Sequence, residues 1–265
     1  MEFTTLVHAP VIVIGMHRSG TSLFANILLE LGIHIGDDLS NHHESIAFKR
    51  LNDVLLRDQG AHWANPQPYL RKLSDPSFIT SEADKARRLL EAMADYGEVA
   101  HGQPWGWKDP RTTITLPVWL KIFPEARVIH MIRNGIDVGM SLQRREPRRL
   151  FSRRDAEPMI PPLFTRGYRL WAEYLQTGLD TESLCRHYLL MRYEDLIDNP
   201  TVQLNTLCTF LNINAPADVR ARITHKLVGR PTKRAAWETR YLQLLFKLGA
   251  VDPAPLARMG YEPGV

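Results

Sequence analysis

Polar and apolar positions alternate along the chain in a repeating order. Val11-Ile-Val-Ile14 is apolar throughout, the pattern of a strand buried on both faces of a parallel sheet. A polar turn containing glycines follows, and then an amphipathic segment, Leu23 to Leu31, stopped by Gly32. The same order returns at Arg127–Arg133, a second buried strand, with Asn134-Gly135 as its turn and Ile136 to about Arg145 as its helix. Trp105–Thr113 predicts a short strand meeting a turn, because Pro110 biases Asp109 away from the helical region. A helix carrying Leu116, Trp119, Leu120 and Phe123 comes next. Tyr188–Met191 reads as a third strand, leading through Tyr193–Pro200 into a helix with Leu204, Leu207 and Leu211. Strands alternating with helices point to an α/β fold of three layers, a central parallel sheet flanked by helices.

The segments between these units are less regular. Ile46, Leu51, Val54 and Leu55 fall near helical spacing, which puts Glu44 close to a helix start with Ser40 or Asn41 as the cap. Residues 60–80, with Pro66, Pro68 and Pro76, read as an irregular surface segment. Ser81 to Tyr96 predicts a helix ended by Gly97, and further helices are expected over 164–182, Ala217 to about Lys226, and Ala235 to Leu248. Trp63, Tyr69, Trp105 and Trp107 are candidates to line a pocket for a sugar, a phenol or a lipid-like alcohol.

The turn after the first strand carries the most specific chemistry. In Gly15-Met-His-Arg-Ser-Gly-Thr-Ser22 the two glycines allow a tight bend, so successive amides converge at a helix N-terminus, where the dipole favours an anion. Arg18 adds a charge, while Ser19, Thr21 and Ser22 add hydroxyls. The spacing resembles the phosphate loop of nucleoside triphosphatases and implies a related three-layer fold, yet Thr21 stands where that loop keeps lysine. An anion with less charge than a magnesium-bound triphosphate suits it better. Arg133 ends the second strand in the same way, and ligands of doubly wound sheets bind at the carboxyl ends of strands, so Arg18 and Arg133 are expected to face one crevice.

Composition narrows the class. At 265 residues and 44% hydrophobic content the chain is long enough for a sizeable core, and it reads as a single domain, 1–265. A net charge of +4 suits an anionic ligand, while the basic tails and repeats of nucleic-acid-binding proteins are missing. Cys185 and Cys208 make no disulfide framework or zinc motif, and ten histidines make no His-Glu-x-x-His pattern, so no metal is expected. No apolar run reaches membrane-spanning length and no signal-peptide pattern opens the chain, so the expected location is the cytoplasm. Six arginines between Arg144 and Arg154, broken by Pro147, read as an exposed basic loop.

Together these segments resemble the sulfotransferases that use 3′-phosphoadenosine 5′-phosphosulfate (PAPS). Gly15–Ser22 is similar to that family's 5′-phosphosulfate loop, and Arg133 with Ser141 eight residues on is similar to its 3′-phosphate motif. Trp107-Lys-Asp-Pro-Arg111 resembles the Lys-Asp-Pro segment of the bacterial and protein-tyrosine branches, and Tyr193-Glu-Asp-Leu-x-x-Asn-Pro200 resembles a further element. The resemblance implies an enzyme that moves a sulfuryl group to an acceptor hydroxyl or amine on a small molecule or carbohydrate, with no metal. It implies that Arg18 and the amides of Ser19, Gly20, Thr21 and Ser22 hold the phosphosulfate, and that Arg133 and Ser141 hold the 3′-phosphate. By the same resemblance Tyr193 lies near the adenine and Lys108 meets charge on the sulfuryl or bridging oxygen. Glu44 is the expected base, with His42 and His43 as rivals, since an imidazole can accept the acceptor's proton near neutral pH. A phosphate-loop kinase and a non-catalytic nucleotide-binding protein are the alternatives. Oligomeric state is not readable from the sequence.

Overall fold

The computed structural model describes residues 9–36, 39–41, 43–92, 103–145, 162–228, 243, 245–247, 249 and 251–262. Four strands, β1 (Val11–Ile14), β2 (Gly106–Lys108), β3 (Arg127–Ile132) and β4 (His187–Arg192), all run parallel in the order β2-β1-β3-β4. Register pairs Ile12 with both Trp107 and Val128, so β1 is central and its apolar run is explained by cover on both faces.

Successive β1 side chains point to opposite faces and enter two separate cores. Ile12 and Ile14 pack with α2 (Ile46–Asp58), α4 (Pro76–Glu91), α5 (Thr112–Ile122), α6 (Gly135–Arg145) and α7 (Pro162–Asp180), through residues such as Phe48, Leu55, Ala86, Trp119, Ile136 and Trp171. Val11 and Val13 pack with α1 (Thr21–Glu30), α8 (Tyr193–Asp198), α9 (Pro200–Leu211) and α10 (Ala217–Leu227), through Phe24, Leu28, Leu196, Leu207 and Ile223. The three expected layers are therefore present. Short helices α3 (Gln67–Leu70) and α11 (Ala254–Arg258) and a 3-10 turn, Glu182–Leu184, complete the described elements. Among the described residues no helix is long and apolar enough to cross a membrane.

Strand order fixes where a ligand fits. The chain leaves β1 toward β2 on one side, whereas it leaves β3 toward β4 on the other, so a crevice opens between the carboxyl ends of β1 and β3. Gly15 sits at its floor with φ +132°, where a Cβ would fall 2.2 Å from the Met131 carbonyl oxygen. Only glycine allows the two strand ends this close.

Several expectations need correction. The segment over 60–80 is not irregular throughout: Pro66 leads into α3, and Pro76 opens α4 five residues before the expected start. Asp75 caps α4 by accepting from Ser77 N–H at 2.8 Å, and proline at the first helical position forfeits only a donor that has no helical partner. The cap of α2 is Ser45, whose hydroxyl accepts from Phe48 N–H, rather than Ser40 or Asn41. Most of the helix expected over Ala235–Leu248, and the arginine run beyond Arg145, lie outside the described residues.

Candidate functional site

The loop between β1 and α1 is held at several points. Gly15 N–H donates to the Thr113 hydroxyl at 2.9 Å, which fastens the loop to the start of α5. Ser19 N–H donates to the Met16 carbonyl at 3.1 Å, so this amide, expected to face an anion, is used inside the loop instead. Gly20 has φ +89°, and the place of its missing Cβ is filled by the Tyr193 ring, 2.4 Å away at Cδ2. Arg18, at φ +73°, is one of the few non-glycine residues in the left-handed region, a conformation that costs roughly 1–2 kcal/mol and marks functional turns. Its Nε donates to the Ser141 hydroxyl at 2.9 Å. Ser19 Oγ is fully buried and has no hydrogen-bond partner.

Ser141 belongs to α6, which starts beside the end of β3. There the Arg133 guanidinium lies over the Tyr193 ring, 4.5 Å from its centre, with Asp137 at 3.8 Å. Asn134 caps the turn by accepting from Ile136 N–H at 3.0 Å. Glu194 secures it from the other side: Oε1 accepts from Asn134 N–H at 2.9 Å and Oε2 from the Tyr261 hydroxyl at 2.8 Å. The two strand-end turns are thus in contact, through Tyr193 packed on Gly20 and through Arg18 bonded to Ser141.

A third group stands at the end of β2. Lys108 is 1% exposed and donates to Glu44 Oε1 at 3.4 Å. Burial pulls the Lys108 ammonium below the ordinary lysine range, against the attraction of Glu44 and Asp109. The Glu44 backbone is fixed by Ser40, whose N–H donates to the Glu44 carbonyl at 2.9 Å and whose hydroxyl accepts from Glu44 N–H at 3.1 Å. Arg111 reaches Glu44 Oε2 at 4.0 Å while pairing with Asp109 at 2.8 Å and Asp53 at 2.6 Å. Burial opposes the Arg111 cation, but these three carboxylates outweigh it and hold the guanidinium firmly protonated.

Behind this group lies a buried polar network. Asn52 donates to Asp109 Oδ2 at 2.8 Å and to Thr112 Oγ1 at 2.9 Å, and its carbonyl oxygen accepts from Thr115 at 2.7 Å and from the Trp119 indole at 2.8 Å. Lys108-Asp109 is therefore no exposed ion pair. Lysine pairs with Glu44, and Asp109, fully buried, takes its hydrogen bonds from Asn52 and Arg111.

A cleft of about 390 Å³ joins the parts, with Arg18, Thr21 and Ser22 of the loop and Glu44, Lys108 and Arg111 on its wall. Arg133 and Tyr193 lie outside this lining, beside the loop. Of the three rival bases Glu44 lines the cleft, His43 does not, and His42 lies outside the described residues. Among the aromatic candidates Trp63 lines it, but Tyr69, Trp105 and Trp107 are core residues at 0–1% exposure; Trp107 stacks on Phe48 at 3.8 Å. Sequence reasoning alone gives Arg111 no role beyond closing the Trp107–Arg111 segment. Its signal was its place directly after Lys-Asp-Pro.

Comparison with known proteins bears on the fold and the family. The Sulfotransferase family model matches residues 10–217, most of the chain. No curated protein sequence matches significantly. Among solved structures, sulfotransferase STF9 from Mycobacterium avium is similar at 18% identity and TM-score 0.56, over 97% of this chain and 78% of that one. The sulfotransferase domain from the curacin biosynthetic pathway is similar at 15% identity and TM-score 0.58, over 97% of this chain and 99% of that one. These likenesses show the fold. With the family model running from the strand before the phosphate-type loop through the Tyr193–Pro200 segment, the chain belongs to the sulfotransferase family.

Proposed function

We propose that the protein transfers a sulfuryl group from PAPS to an acceptor hydroxyl. One observation carries this reading: the anion loop and the buried Lys108–Glu44 pair open onto the same cleft. A nucleotide with two separated anionic groups fits the residues present. Ser19 Oγ and Arg133 Nε are both buried without hydrogen-bond partners, one in each strand-end turn. Arg18, Gly20, Thr21 and Ser22 would hold the 5′-phosphosulfate at the start of α1, where the first N–H groups have no acceptor within the helix. Arg133 and Ser141 would hold the 3′-phosphate, and Tyr193, already under the guanidinium, would border the adenine.

When bound, PAPS supplies a sulfuryl group: the acceptor oxygen bonds to sulfur, the bond from sulfur to the 5′-phosphate oxygen breaks, and its electron pair stays on that phosphate. The protein's part is positioning and charge, as in phosphoryl transfer. Lys108, at the cleft wall, would neutralise charge on the sulfuryl and bridging oxygens. Glu44 would take the acceptor's proton, released for that role as Lys108 turns from the carboxylate to the transferring group. A kinase reading requires a lysine at Thr21, and magnesium-dependent binding of ATP in preference to adenosine 3′,5′-bisphosphate would favour it.

Calorimetric titration with adenosine 3′,5′-bisphosphate tests the donor site. Arg133→Ala should weaken binding by about tenfold or more, because one phosphate loses a charge-assisted partner. Unchanged affinity would overturn the 3′-phosphate assignment.

A further inference from the structure

We propose that the acceptor is a neutral glycoside whose sugar ring stacks on Trp63. This rests on the sulfuryl-transfer reading and names the acceptor class for that same cleft. Among the described lining residues Trp63 is the largest aromatic side chain, beside the His17 imidazole, and its setting is rigid. Its carbonyl accepts from the buried Tyr174 hydroxyl at 2.8 Å, and its ring lies 4.7 Å from that of His17. The turn that carries it is closed by His62 and Asn65, each donating its N–H to the other's carbonyl at 3.2 and 2.9 Å. An indole fixed in advance loses little freedom when a ligand covers it.

Most of the other described wall residues are polar. Beside Trp63 the described apolar lining consists of Pro110 and Leu142, whereas Ser40, Asn41, Lys49 and Arg111 bring hydroxyl, amide and cationic groups. Sites for steroid-like or long-chain alcohols are predominantly apolar on several sides, with few polar groups. One large aromatic side chain among many hydrogen-bonding groups instead matches a pyranose, which has a C–H face and a rim of hydroxyls. Charge balance favours a neutral sugar over an acidic one. Lys49 is paired with Asp53 at 3.3 Å, and Arg111 with Asp53 and Asp109, so these cations are already matched by carboxylates. In the step itself one sugar hydroxyl oxygen bonds to sulfur, its proton passes to the Glu44 carboxylate, and the sulfur–oxygen bond to the donor phosphate breaks.

The test has two parts. Protein saturated with adenosine 3′,5′-bisphosphate is probed by saturation-transfer NMR with methyl β-D-glucopyranoside, cellobiose, 2-naphthol and 1-decanol. The same four compounds then compete for ³⁵S from labelled PAPS. The expected result is saturation transfer to the glycosides and label in their sulfate esters. Trp63→Ala should raise the glycoside KM by about tenfold with nucleotide affinity unchanged, and Trp63→Phe should restore part of the loss. Label in 2-naphthol or 1-decanol in preference to the glycosides, or an unchanged KM in Trp63→Ala, overturns the acceptor class and leaves sulfuryl transfer standing. Nucleotide binding without saturation transfer to either glycoside overturns it as well. Failure to bind adenosine 3′,5′-bisphosphate in calorimetry is the separate failure of the donor reading.

Discussion

At the scale of single residues, Glu44 meets two buried cations, Lys108 at 3.4 Å and Arg111 at 4.0 Å, from a loop fixed by Ser40. As the proton acceptor, Glu44 acts only in transfer. Glu44→Gln keeps the shape of the side chain and should slow single-turnover transfer about a hundredfold, with adenosine 3′,5′-bisphosphate affinity unchanged. Full activity in that variant would move the role to another group. The sequence alone leaves Glu44, His42 and His43 open, because nothing in the run of six polar residues from Ser40 to Ser45 says which one turns inward. Arg111 illustrates a different gap. Its carboxylate partners Asp53 and Glu44 are remote in sequence, and only α2 packing beside the end of β2 reveals the cluster.

Among the elements, α2 does more than follow the loop that bears Glu44. Asn52, fully buried on its inner face, holds Asp109 and ties α2 to the start of α5. Asn52→Ala strands the buried Asp109 Oδ2 and leaves the Trp119 indole and the Thr115 hydroxyl only their longer bonds, to Thr115 Oγ1 at 3.2 Å and to the Arg111 carbonyl at 3.5 Å. It should lower unfolding free energy by about 1–3 kcal/mol, read as a shift of the urea midpoint at constant slope. The strand–turn–helix units at β1 and β3 were plain in the sequence, since an apolar run, a glycine turn and an amphipathic stretch are all local signals. The α3–α4 region was not. Pro66 and Pro76 suggest breakers there, although each stands at a helix start, where proline forfeits no helical hydrogen bond.

For the molecule as a whole, acid stability depends on a residue remote from the cleft. His130 in β3 is fully buried, shares a 2.6 Å hydrogen bond with the Tyr188 hydroxyl, and is pushed by burial down to about 3. The unfolded chain, with its imidazole near 6.5, takes up the proton first, so stability is full above about pH 6.5 and falls as pH drops toward 3. Between pH 7 and 5 this one group should remove about 2 kcal/mol, and His130→Gln should flatten that part of the profile in denaturant titrations. An identical slope in the variant would show that other groups set it. Strand order, too, belongs to this scale. Nothing local in the Trp105–Thr113 segment says that β2 lies on the far side of β1 from β3, and that placement is what brings Lys108 to the cleft.

The Glu194 carboxylate has a consequence for the timing of synthesis. One of its oxygens holds the turn after β3 and the other holds Tyr261, more than sixty residues later. While the chain is still on the ribosome, β3 and Glu194 are able to meet long before Tyr261 has emerged from the exit tunnel. A nascent chain therefore gains its full grip on the turn that bears Arg133 only after translation has passed residue 261.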